Sequence, residues 1–199
     1  DETPWENFDS AKDRCYGKDT YYWFRSQFTV PQSMDGKCIF LKIHTQIEEW
    51  DDGRNPQFLL FVNGKVTQGQ DMNHRELRLT DCAKAGETYT LDLQAYTGIL
   101  HNEFSLMVTA SETDLALLKL YYDLKAPADA YHYNRMMQGR TKSLIVEALN
   151  GALNLLDLRT PHSPEFDASV AAAQEYINEH LYKNPELSGH DDIIASSIG

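Results

Sequence analysis

The sequence predicts a mainly β protein: a β-sandwich of the jelly-roll kind, followed by a C-terminal α-helical segment. Three observations predict it. Hydrophobicity alternates with period two across residues 21–124. An Asn63-Gly64 pair sits between two apolar runs, where both residues must accept positive φ. After Pro127 the period lengthens to that of a helix. The predicted division is a sandwich over residues 1–125 and a helical segment over 126–199.

The first strand candidate covers residues 22–30. Phe24, Ser26, Phe28 and Val30 share one face, Arg25, Gln27 and Thr29 share the other, and Pro31 ends the run. Ile39, Leu41 and Ile43 alternate in the same way with Phe40, Lys42 and His44. The type I′ hairpin around Asn63-Gly64 is the sharpest local signal. Leu77 and Leu79, then Tyr89, Leu91, Leu93 and Ala95, then Phe104, Leu106, Val108 and Ala110, continue the pattern. Residues 115–122 are more continuously apolar and read as one more strand, buried on both faces. Seven or eight strands about a dozen residues apart, joined by loops holding Gly17, Gly36, Gly53, Gly86 and Gly98, predict two packed sheets.

Beyond Pro127, Ile145, Leu149, Ala152, Leu153 and Leu156 draw one apolar stripe along a helix. A second helix begins at Ser163 as N-cap, with Pro164 in its first turn and Glu165 where the macrodipole favours an acid. Its stripe is Phe166, Val170, Ala173, Ile177 and Leu181, and Pro185 closes it. This stripe is expected to stay exposed, and to promote self-association, unless a further domain covers it.

Composition excludes several classes of function. The 199 residues carry 30 Asp and Glu against 18 Lys and Arg, a net charge of -12 that repels a phosphate backbone, so no nucleic-acid partner is expected. The clearest apolar run, residues 58–62, is far short of the ~20 residues a spanning helix needs. Neither a membrane partner nor a signal peptide is therefore predicted. Cys15, Cys38 and Cys82 are odd in number, widely spaced and without Cys-x-x-Cys, which argues against a disulfide framework and a zinc ribbon. With no Asn-x-Ser/Thr acceptor, they fit a reducing cytoplasm.

No motif for catalysis stands out. The seven histidines form neither His-x-His nor His-Glu-x-x-His, and there is no nucleophile elbow, P-loop or dinucleotide fingerprint. No catalytic residue, metal ligand or cofactor is assigned to these residues. Paired carboxylates for glycoside hydrolysis leave no spacing signature, and Glu48, Glu49, Asp51 and Asp52 flank Trp50. An aromatic ring beside acids can grip a sugar, stacking on its apolar face while accepting from its hydroxyls. The plainer reading of Trp50, Asp51 and Asp52 is a charged loop with one tryptophan folded back. Asp51 and Asp52 fall short of the six to eight oxygens calcium takes. Tyr21, Tyr22, Trp23 and Phe24 read first as core and cross-strand packing, and only second as a ligand platform.

Several segments together resemble a known family. They are Trp23-Phe24-Arg25, then 61–65 (Phe-Val-Asn-Gly-Lys) with Gln68-Gly69 and His74-Arg75-Glu76, then 94–98 (Gln-Ala-Tyr-Thr-Gly) and 120–124 (Leu-Tyr-Tyr-Asp-Leu). Their order and spacing are similar to the N-terminal region of α-mannosidases of glycoside hydrolase family 38, of the bacterial, fungal-vacuolar and cytosolic type. The resemblance runs from about Tyr21 to the C-terminus. It implies a galactose-binding-like sandwich joined by helices to a catalytic domain, which a His-x-His-x-x-Asp segment opens. It also implies that the ligands of zinc or another divalent metal, and the nucleophilic Asp of a retaining hydrolysis, lie beyond Gly199. The expected role is then non-catalytic: packing on the catalytic domain of the same parent chain and contributing contacts in a homo-oligomer. The alternative is a carbohydrate-binding module that holds mannose-type sugars with Trp50, Asp51 and Asp52, or with the loop from Gln68 to His74.

Overall fold

A computed structural model describes residues 4–45, 56–71, 73–134, 137 and 139–187. The chain falls into two units, Asp1–Thr113 and Asp114–Gly199.

Among its described residues the first unit holds nine strands, all paired antiparallel. They are β1 (Cys15–Gly17), β2 (Tyr21–Thr29), β3 (Ile39–His44), β4 (Gln57–Val62), β5 (Lys65–Gln70), β6 (Glu76–Thr80), β7 (Thr88–Tyr96), β8 (Asn102–Phe104) and β9 (Met107–Glu112). One sheet runs β2-β7-β4-β5, a second β6-β3-β9, and β1 pairs with β8. β2, β4, β5 and β7 lie in one larger sheet and β3, β6 and β9 in the other, and the inner faces of the two share one core containing Ile39, Leu41, Ile43, Phe58, Leu60, Leu91, Leu93 and Phe104. The predicted jelly-roll sandwich is thus present.

Alternation is what assigns the faces. In β3, Ile39, Leu41 and Ile43 are buried while Lys42 between them is exposed. In β2, Tyr22, Phe24 and Phe28 pack against the core while Tyr21, Trp23 and Arg25 face outward. The hairpin closes as the sequence requires: Asn63 has φ 51° and Gly64 φ 76°, and Val62 pairs with Lys65. Past that turn the register shifts between Leu60 and Phe61. The bulge moves every later residue of β5 by one position, so Phe58 faces Gln70 rather than Gly69.

The second unit is helical: α1 (Leu115–Tyr133), α2 (Gly139–Leu155), α3 (Pro164–Ile177), a π-helical turn (Asn178–Tyr182) and a short 3-10 turn (Pro185–Leu187). The expected strand over 115–122 is a correction, since those residues open α1. Asp114 caps it, its Oδ1 accepting from Ala116 N at 2.9 Å and Leu117 N at 3.1 Å. Leu117, Leu120 and Leu124 then recur at helical spacing on the side that packs into the core of this unit. Residues 114–125, assigned above to the sandwich, therefore belong with the helices, and the division falls at Thr113.

Pro127, read as the point where helices begin, lies inside α1. A proline has no N–H to give the carbonyl four residues back, here that of Asp123. The Tyr182 hydroxyl supplies the missing donor at 3.1 Å. Burial, then the nearby Asp123 charge, push the Tyr182 hydroxyl up to about 12, so it remains a donor far into alkaline pH.

In α2 the buried side is Thr141, Leu144, Ile145, Ala148 and Ala152, whereas Leu153, placed on the stripe by the sequence, is exposed. The α3 stripe is as predicted: Phe166, Val170, Ala173, Ile177 and, in the π turn, Leu181 are all buried. Ser163 caps α3, accepting from Phe166 N at 3.1 Å. This stripe is buried within the unit by α1 and α2 residues, which overturns the expectation that it stays exposed. Among the described residues no helix is long and apolar enough to cross a membrane.

Candidate functional site

Of the residues the sequence singles out, Trp50, Asp51 and Asp52 lie outside the described residues. His74 is described. It stands in the connection from β5 to β6, its side chain 71% exposed, with Nδ1 3.0 Å from Asp71 Oδ1. The same carboxylate oxygen accepts from Asn73 N and His74 N, each at 2.8 Å, and so builds the turn. Partial burial pushes the Asp71 carboxyl up, but the three hydrogen bonds and the His74 charge outweigh it and hold the group below its ordinary value. At the same connection, Gln68 Nε2 donates to Glu76 O at 3.0 Å, which ties the end of β5 to the start of β6.

Asp71 also borders a small cavity lined by Ile43, Thr45, Pro56, Phe58, Gln70 and Arg75. The cavity lies where the ends of β3 and β5 meet the starts of β4 and β6. Its volume is about 10 Å³, room for roughly one water molecule. Two polar residues here are buried: Gln70 is 3% exposed and Thr45 6%. Both amide atoms of Gln70, and Thr45 Oγ1, have no hydrogen-bond partner among the described residues. Buried amides and hydroxyls are usually paired, so three orphans around one cavity mark the corner as unusual. Sequence reasoning missed Thr45, and it read Gln70 as part of a loop from Gln68 to His74, whereas Gln68, Gly69 and Gln70 end β5 and Gln70 is buried. A uniform hairpin register would have turned Gln70 outward, and the bulge is not readable from residue types.

A second surface is the outer face of the four-stranded sheet. Tyr21, Trp23 and Arg25 of β2 lie opposite Tyr96, Gln94 and Asp92 of β7, and these in turn opposite Gln57, Leu59 and Phe61 of β4. Tyr21 is 63% exposed and Trp23 50%. Tyr21 packs on Tyr96 with ring centroids 5.0 Å apart, and Trp23 on Phe61 at 5.6 Å. Arg25 donates to both Asp92 oxygens, at 2.6 and 3.2 Å, and its guanidinium lies 5.0 Å from the Trp5 ring centroid. The hydrogen bond and charge of Asp92 raise the Arg25 pKa, so this ion pair persists as a fixed polar edge to the aromatic strip. Alternation places these rings outward, and that signal was in the sequence, although core packing is the commoner reading of strand aromatics.

Among the described residues no group of three His, Cys, Asp or Glu side chains could hold a metal ion. The zinc or other divalent ion that the family resemblance implies does not fit the described residues.

No family model and no curated protein matches the chain. Two solved structures align with it at low similarity: the CBM51-2 and INT domains from Clostridium perfringens ZmpB, and CBM51-2 in complex with GlcNAc with the INT domains of the same protein. Each is 12% identical over 86% of this chain, with a TM-score of 0.21. The chain covers 44% of the first structure and 43% of the second, less than half of either. At this similarity no ligand or role passes from them, and the sandwich rests on the strand pairing described above.

Proposed function

We propose that this chain is the non-catalytic N-terminal region of a family 38 α-mannosidase, an enzyme that hydrolyses terminal α-mannosides. The observation that supports it is the order of parts: a jelly-roll sandwich, then a separate helical unit. That is the order the resemblance implies. Within it, Gln68, His74 and Glu76, three of the residues that carry the resemblance, build one tied connection. On this reading the protein works in the cytoplasm, and its first partner is the catalytic domain of the same parent chain. The divalent metal belongs to that domain, and further contacts join copies of the enzyme. The test is the reading frame of the encoding gene. A His-x-His-x-x-Asp segment soon after Gly199 is expected, and a frame that continues without one overturns the proposal.

A second reading, sugar binding by the sandwich, is favoured by the exposed aromatic strip. Pyranose rings have apolar faces that stack on aromatic rings, and hydroxyls that pair with groups such as the Gln94 amide and the Asp92–Arg25 pair. Titration with methyl α-D-mannopyranoside is expected to change the tryptophan fluorescence saturably, and Trp23→Ala to abolish most of the change. An unaltered signal at high millimolar sugar would rule this reading out.

A further inference from the structure

The corner beneath Asp71 holds a polar set that nothing among the described residues explains. Gln70 occupies an inward position of β5, opposite the buried Phe58, where a sheet normally places an apolar side chain. It is there because the bulge between Leu60 and Phe61 turns it in. Gln68, the other inward glutamine of the strand, donates to Glu76 O, whereas Gln70 has no partner among the described residues. Thr45 Oγ1, at the same cavity, is equally unpaired.

The chemistry of the three atoms selects the guest. Gln70 Nε2 offers donors, Oε1 accepts, and Thr45 Oγ1 does both. A cation held by Oε1 and Thr45 Oγ1 would leave the amide hydrogens unpaired, and an anion held by Nε2 would leave the amide oxygen unpaired. A hydroxyl group donates once and accepts twice, which matches the set. The cavity has room for one such oxygen. Asp71, whose side chain is 41% exposed, stands at its border, while the buried Pro56 and Phe58 line it from within. A carboxylate at the border suits the neighbouring hydroxyls of a molecule that carries several of them.

We propose that this corner is a sugar subsite in which one hydroxyl enters the cavity and hydrogen-bonds Gln70 and Thr45, with Asp71 and Arg75 at its rim. It rests on the sugar-binding reading above and adds to it a second, polar point of attachment apart from the aromatic strip.

The test follows the side-chain NH₂ resonances of Gln70 in the full isotopically labelled chain, assigned by their loss in Gln70→Met, while methyl α-D-mannopyranoside is added. A saturable shift of that pair is expected. Gln70→Met and Thr45→Val, both close to isosteric, are each expected to weaken binding about tenfold or more, because the entering hydroxyl loses its partners. Resonances that stay still at saturating sugar, or variants that bind as the parent does, overturn the proposal. So does a resident water only, seen as an unchanged water cross-peak to Gln70 with sugar present. Should the tryptophan fluorescence respond while Gln70 does not, the subsite fails and sugar binding by the strip stands. If neither responds, both fail.

Discussion

Gln70 in the sandwich and Gln174 in the helical unit are the same side chain in opposite circumstances. Gln174 is half-buried on α3, and its Nε2 donates to Asp123 Oδ2 at 2.6 Å and to Asn178 Oδ1 at 3.2 Å, leaving only Oε1 without a donor. Asp123 also pairs with Lys119, and its carbonyl takes the Tyr182 hydroxyl. One glutamine therefore links α1, α3 and the π turn. Gln70 links nothing among the described residues, although it is the more deeply buried of the two. A polar group held by several partners is there for the fold, whereas a buried group with none stands ready for something the fold does not supply.

Stability measurements can break or sharpen that contrast. The largest effect is expected at Gln174: replacement by leucine takes one hydrogen bond from Asp123, which keeps Lys119, and one from Asn178, and should cost about 1–3 kcal/mol. In urea melts the midpoint should fall with the slope unchanged. Gln70→Met removes an unpaired amide in exchange for a side chain of similar size, so it should cost nothing or stabilise. A loss at Gln70 as large as that at Gln174 would mean that the sandwich glutamine is structurally satisfied after all, and the comparison would collapse. A smaller effect, about 1 kcal/mol, is expected for Tyr182→Phe. There the Asp123 carbonyl loses the one hydroxyl that replaces the N–H missing at Pro127. An unaffected midpoint would show that water replaces the hydroxyl without cost.

The same pair explains what could be read in advance. Alternation placed the apolar residues of the inner faces of β2, β3 and β7, although Ser26 is exposed and Asp92 buried against the pattern, because a buried face leaves a period-two record. The α3 stripe and its Ser163 cap were equally legible, each being a local pattern with a local cause. The errors share another origin. Residues 115–122 are apolar enough for either element, and what decides for helix is the Asp114 cap together with leucines recurring every three to four residues. Pro127 looked like a boundary because its compensating donor, Tyr182, lies 55 residues away in sequence and meets it only after folding. Gln70 was invisible as a buried residue because a single bulge inverts the face of everything beyond it. Of the candidate site, His74 and the connection around it could be named from the sequence, but the cavity is a product of register.

The smallest effect expected is local and depends on pH. Asp71 stands next to Gln70 and shapes the mouth of the cavity, accepting from Asn73 N, His74 N and the His74 ring through one oxygen. Its folded pKa lies below the ordinary 3.8, despite the opposing push of partial burial. The sign follows from linkage: a carboxyl lowered on folding contributes stability that is fully present above its unfolded value and is lost as pH falls through its folded value. The turn should therefore be intact at neutral pH and loosen only below pH 3.8. Because the side chain is 41% exposed, solvent screens the interaction, and the global midpoint should hardly move. The amide protons of Asn73 and His74 should report it directly, shifting with an apparent pKa below 3.8 in the parent chain and losing that step in Asp71→Asn. An inflection at or above the ordinary carboxyl value would mean that the three donors do not hold Asp71. The negative charge at the border of the cavity would then be present at neutral pH but not held in place beside the neutral floor formed by Gln70 and Thr45.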